Sequence, residues 1–179
     1  MGSTTLLTVA VVVVLALAWY LSFSASRLDR LHARVEGARD ALDAQLVRRA
    51  SVALELATSR RLDPASSVLV AEAAHEAREA DPDSREVAES TLSRALRAAL
   101  EQPGTIEHLA ADPVGHDLLV DLHSAARRVE LARRFLNDAV RATLAARRDR
   151  MVRWFRLAGH AARPDTFEMD DEVPAGLPR

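Results

Sequence analysis

The chain has 179 residues, 28% of them charged, a formal net charge of -2 and no cysteine. Without cysteine there is no disulfide framework, thiol nucleophile or zinc–thiolate site to consider, and a near-neutral charge removes any whole-chain argument for nucleic-acid binding. Aromatic residues make up 4% and glycine is scarce, a composition that favours helices over sheet.

The first element is an apolar run, Leu6–Phe23, interrupted only by Thr8, Tyr20 and Ser22 and free of charge. At about 1.5 Å of rise per residue, its roughly eighteen residues just cross a bilayer core of about 30 Å. No Lys or Arg precedes the run and it is longer than a signal-peptide core, so it reads as an anchor, although Ser24-Ala25-Ser26 resembles a weak cleavage site. Arg27, Arg30 and Arg34 follow it, and Trp19 and Tyr20 lie at the same end. The positive-inside rule and the aromatic belt then place the N-terminus outside and the following domain in the cytoplasm. The expected division is a short N-terminus (1–4), a transmembrane helix (5–23), a helical-bundle domain (24–160) and an acidic tail (161–179).

Beyond the anchor, Leu28, Leu31, Val35, Ala38, Leu42, Gln45, Arg49, Val52 and Leu56 alternate steps of three and four. That is a heptad seam, and it predicts one helix continuing to about Ser59. Gln45 and Arg49 are polar intruders, and a drift of the seam onto Leu46 and Ala53 would leave both at its edge. Asp63-Pro64 predicts a capped start for a second helix over about 64–80. Asp81-Pro82-Asp83-Ser84 breaks that helix and should cap a third, over about 84–102, with Ala88, Leu92, Ala95, Leu96 and Ala99 on one face. Pro103-Gly104 ends it, and Thr105–Ala111 predicts a short helical turn. Asp112-Pro113 begins a long last helix, expected to reach about Leu157, with Leu118, Leu122, Ala125, Val129, Ala132, Leu136 and Val140 as its seam. Asp165, Glu168, Asp170, Asp171 and Glu172 then predict a disordered acidic tail.

Two long helices enclosing two short ones predict an all-α fold, an antiparallel up-down bundle behind the transmembrane helix. By helix rise the first helix should extend about 54 Å from the membrane and the last return to the neighbourhood of Arg148. There, Arg147, Arg148, Arg150, Arg153, Trp154, Phe155 and Arg156 combine basic and aromatic side chains. This composition suits an anionic leaflet, at about 1 kcal/mol per basic residue near the surface. The competing reading has the two aromatics packing at the base of a two-helix stalk. A nucleic-acid platform would need a basic domain, which is absent.

Other chemistry is thin. His75-Glu76-Ala77-Arg78-Glu79 begins like a zinc-protease helix but has Glu79 where the second histidine belongs. His116 and His123 are two turns apart on one helix, too far for a shared metal without a ligand from another helix. No phosphate loop or nucleophile elbow is present. No catalytic constellation and no cofactor or metal site is therefore expected. Arg48, Arg49, Arg133 and Arg134 lie on helices expected to be antiparallel neighbours. With Asp43, Gln45, Glu130, Asn137 and Asp138 they predict an interhelix polar network.

Several strings are shared with a known family. The anchor is followed by Arg34-Val35, Leu42-Asp43, Gln45-Leu46 and Arg48-Arg49. Arg128-Val129, Ala132-Arg133-Arg134-Phe135, Asn137-Asp138-Ala139-Val140 and a closing Phe167-Glu168 come later. Together they resemble the LemA family, bacterial single-pass proteins with a helical-bundle domain. Ser51–Ala57 lacks the family's Pro and Asn, and Leu136 stands where a Tyr is usual, so the likeness is to a divergent member. It implies the same fold and anchoring, and no enzymatic activity.

These readings converge on a non-catalytic interaction or scaffold module at the cytoplasmic membrane. Its expected partners are the bilayer and an unidentified protein, with self-association along the exposed heptad seam as one form of that interaction. The alternatives are a ligand-binding or enzymatic bundle with a polar site near Arg49 and Asn137, or an envelope-facing domain of the same fold.

Overall fold

The structure, a computed structural model, describes residues 2–149, 154–155 and 162–178. Its elements are helices α1 (Gly2–Thr58), α2 (Pro64–Glu79), α3 (Arg85–Leu100), α4 (Thr105–Ala110) and α5 (Pro113–Arg147), and the described residues include no strand. The chain divides into two compact units, one of residues 1–37 with 137–166 and the other of 38–136 with 167–179.

In the first unit the sequence seam does what its spacing requires. Leu28 and Val35 of α1 are buried, as are Ala139, Val140 and Thr143 of α5. The two segments are antiparallel: Thr143 donates to the Leu31 carbonyl at 3.4 Å, while Ala146 and Asp149 share a small cavity with Tyr20, Phe23, Ser24, Arg27 and Leu28. The apolar run itself is unpartnered. Leu6 is 73% exposed and Val14 63%, and the arginines that follow at 27, 30 and 34 are exposed too. This is the one helix among the described residues long and apolar enough to cross a membrane.

In the second unit α1, α2, α3 and α5 run up, down, up and down. Gln102 donates to Ser66 Oγ at 3.0 Å across the ends of α2 and α3. Arg85 and Arg49 pair with Asp43 and Glu89 in parallel order on α1 and α3. Ala73, Ala74, Ala77, Ala88, Ala95 and Ala99 are all buried, and such small side chains let α2 and α3 approach closely. Leu56, Leu92, Leu100, Leu119 and Leu122 fill the centre, each contributing about 1.5–3 kcal/mol by leaving water.

The connections show why the helices stop and start there. Asp63 caps α2, accepting from the amides of Ala65 and Ser66 at 3.0 Å, with Pro64 in the first turn. Asp112 caps α5 through the Gly115 amide and also accepts from Arg61 at 2.5 Å. Both act as the sequence predicts. The Asp81-Pro82-Asp83-Ser84 break does so only in part: Ser84 stands at the start of α3, but its hydroxyl turns back to the Asp81 carbonyl and makes no side-chain cap. Gly104 takes a left-handed φ of 82° between α3 and α4, where a side chain would be strained. Arg60 adopts the same region, φ 62°, just after α1.

Two sequence expectations are corrected. Helix α5 ends at Arg147, short of Leu157, with amides 148 and 149 bonding three residues back in a tightened last turn. The acidic tail, expected to be disordered, instead lies along α3 and α5 in residues 167–178. Asp170 and Asp171 meet arginines there, while Glu168 and Glu172 stay exposed.

Candidate functional site

Three polar groupings stand out. The first is at the end of α5 in the first unit. Arg147 donates to the Ala162 carbonyl at 2.8 Å and lies 3.4 Å from His32 Nε2, while Arg148 is exposed. Trp154 is 81% exposed and Phe155 41%, their ring centroids 6.0 Å apart. Arg150, Arg153 and Arg156 lie outside the described residues. The antiparallel return that the seam predicts brings Ala146 and Asp149 beside Phe23–Leu28, at the arginine-bearing end of the apolar run.

The second is buried in the other unit. Arg49 is 2% exposed and Glu89 1%. Arg49 Nη2 donates to Glu89 Oε2 at 2.6 Å and to the Glu89 carbonyl at 3.1 Å, and Nη1 donates to Ser93 Oγ at 2.9 Å. Burial pushes the Glu89 carboxyl above its ordinary value of 4.5, and Arg49 offsets this only in part. Arg49 Nε and Gln45 Oε1, one turn apart on α1, have no hydrogen-bond partner among the described residues.

The third joins α3, α5 and the C-terminal segment. Both terminal guanidinium nitrogens of Arg97 meet the Asp170 carboxylate, and Arg97 Nη1 also donates to the Glu172 carbonyl at 3.0 Å. Arg133 of α5 lies 2.8 Å from Asp171 and 3.8 Å from Glu168. Such forked, two-point pairing is the strong geometry for a carboxylate. Arg97 holds the Asp170 carboxyl below its ordinary 3.8. Beneath the segment an open groove of about 660 Å³ is lined by His123, Arg127, Val173, Pro174, Gly176 and Leu177.

The interhelix network expected from the sequence is therefore several separate pairs. Arg49 is not at the edge of the seam but inside it, with Glu89 as partner. Asp43 meets Arg85 at 3.8 Å, and the exposed Arg48 comes only to 4.0 Å from Asp121. Glu130 pairs with Arg127 and Arg134 on its own helix, as Asp138 does with Arg141. Arg133 turns to the C-terminal segment. Asn137 is buried in the first unit, and Arg49 belongs to the second.

Glu89, Ser93 and Arg97 were not singled out by sequence reasoning, and Asp170 and Asp171 were read there only as part of a disordered acidic tail. Glu89 had a signal: with Leu92, Leu96 and Leu100 it continues the apolar stripe of α3, and an acid in such a stripe pairs with a base in another. No three His, Cys, Asp or Glu gather around a possible metal position among the described residues. Comparison of the chain with protein-family models, curated proteins and solved structures finds no match.

Proposed function

We propose that this chain is a single-pass membrane protein whose apolar helix anchors a non-catalytic helical interaction module on the cytoplasmic side, a divergent relative of the LemA proteins. The observation that carries the reading is the exposed apolar run Leu6–Phe23 followed within one helix by exposed Arg27, Arg30 and Arg34. A fully exposed apolar stretch of that length is costly in water and favourable in hydrocarbon. The arginines set the orientation. The LemA likeness rests on the residue strings of α1 and α5 alone. The basic and aromatic residues from Arg147 to Arg156 would rest on anionic headgroups. What supports this is the exposure of Arg148, Trp154 and Phe155 and the return of α5 to the level of Phe23.

The second reading, a ligand-binding bundle, draws on the unpartnered Gln45 Oε1 and Arg49 Nε. Against it, both terminal nitrogens of Arg49 are already engaged by Glu89 and Ser93.

Alkaline extraction of membranes tests the anchor. The full chain is expected to stay with the bilayer and a Val13→Arg/Leu15→Arg variant to enter the soluble fraction. Release of the unaltered chain would refute the anchor. For the surface contact, an Arg147→Glu/Arg148→Glu/Arg150→Glu variant reconstituted in anionic vesicles should leave Trp154 more accessible to an aqueous quencher. Unchanged quenching would sink the contact.

A further inference from the structure

The C-terminal segment lies on the second unit as a bound peptide would. Its path follows α3 in that helix's own direction. The Glu168 amide donates to Glu86 Oε1 at 2.8 Å, the Asp170 amide to Ser90 Oγ at 3.1 Å and the Ala175 amide to Glu101 Oε1 at 3.2 Å. From Glu86 to Glu101 a helix rises about 22 Å at 1.5 Å per residue. From Glu168 to Ala175 a fully extended chain covers about 23 Å at 3.3 Å per residue. The two lengths agree, so the segment runs largely extended along α3, with a local bend at Asp170, whose carboxylate accepts from the Glu172 amide at 3.1 Å.

Its contacts have a readable order. Two successive carboxylates are taken by two arginines from different helices, Asp170 by Arg97 and Asp171 by Arg133. Pro174 is then buried, and Leu177 packs against the leucine–alanine core. Main-chain donors supply registration, and the side chains supply selectivity for acid, acid, proline and aliphatic in turn. This is how grooves read extended peptides in general. The open space beside His123 and Arg127 leaves the apolar end of the groove only partly filled.

We propose that the groove between α3 and α5 recognises an extended acidic segment of a partner protein, with consecutive carboxylates followed by proline and an aliphatic residue, and that residues 167–178 occupy it in cis as a tethered competitor. The proposal rests on the reading of this chain as an interaction module. The occupant's chemistry follows from charge complementarity to Arg97 and Arg133, which the chain's own segment already satisfies. Tethering gives that segment an effective concentration of the order of millimolar, so a partner binds appreciably only when the cis segment is weakened or outcompeted.

The test uses the full chain in nanodiscs and, as probe, a fluorescein-labelled peptide copying residues 166–178, read by fluorescence anisotropy. A D170K/D171K variant cannot hold its own segment. It is expected to bind the probe at least 10-fold tighter than the unaltered chain, with faster amide exchange over 167–178. Placing R97E/R133E in a D170A/D171A chain, whose own segment then carries no charge at either position to pair with the altered groove, should abolish binding of the probe, and a probe with lysine at both aspartate positions should restore it. That rescue separates lost recognition from lost folding. Released exchange with no gain in probe binding would overturn the proposal, leaving a purely structural strap. Unchanged exchange would overturn it too, because the two carboxylates would then not hold the segment. An unaltered chain that is dimeric where D170K/D171K is monomeric would assign the groove to a second copy, against the partner-protein occupant. None of these results bears on the anchor, which the extraction experiment tests alone.

Discussion

Replacing Arg49 with methionine, Glu89 with leucine, or both, isolates the most deeply buried charges among the described residues. Each side chain is at most 3% exposed and the two meet at 2.6 Å. Removing one partner strands the other in a medium that solvates charge poorly, typically costing about 3–5 kcal/mol, whereas replacing both with apolar groups is often neutral or stabilising by about 1–4 kcal/mol. The two single variants should not be equal. Arginine cannot shed its proton in a protein, so Glu89→Leu leaves a permanent buried cation and takes the full cost. Arg49→Met leaves a carboxyl that burial already holds above its ordinary 4.5, and it escapes by protonating. A carboxyl with a raised native value stabilises the fold where it is protonated and loses that stabilisation as pH rises through the native value. The Arg49→Met defect should therefore be largest near neutral pH and shrink as pH falls toward about 5. Urea denaturation followed by circular dichroism measures all three variants. A Glu89→Leu variant less destabilised than Arg49→Met, or a double variant as poor as the singles, would refute the reasoning.

Other expectations follow from the turns and the C-terminal segment. Arg60 holds a left-handed φ of 62°, so Arg60→Gly should raise stability by about 0.5–1 kcal/mol in the same denaturation assay. A Cβ at Gly115 would overlap the Leu109 carbonyl, a backbone atom that cannot swing aside. Gly115→Ala should cost about 1–3 kcal/mol and loosen the α4–α5 connection, visible as faster amide exchange at Leu109. Because Arg97 depresses the Asp170 carboxyl, the segment's docking is supported above the ordinary 3.8 and lost as pH falls through the docked value. Amide protection over 167–178, corrected for intrinsic rates, should persist at about pH 6 and collapse below about pH 4 before that of α3 does.

Much of the helical plan was legible because its punctuation is local. Asp63-Pro64, Pro103-Gly104 and Asp112-Pro113 each carry their own stereochemical reason to start or stop a helix, and the structure uses all three. The cap expected from Asp81-Pro82-Asp83-Ser84 was less legible, because a hydroxyl can cap forward or bond backward, and Ser84 here bonds to the Asp81 carbonyl. The polar groupings were harder. Arg49 could be seen on the seam of α1, but its partner is on α3, and a helix face alone does not say which neighbour it meets. The C-terminal segment was misread for a related reason. A run of acids with prolines looks solvated until Arg97 and Arg133, from two helices distant in sequence, are brought to the same side of one unit.

The central proposal is an anchor that leaves the helical module in the cytoplasm, and the location of the C-terminus tests it most directly. A reporter active on one side of the membrane only, fused after Arg179, should signal from the cytoplasm, as Arg27, Arg30 and Arg34 require. A signal from the outer side would contradict the account and remove the anionic inner leaflet as the surface met by Arg147 and Arg148.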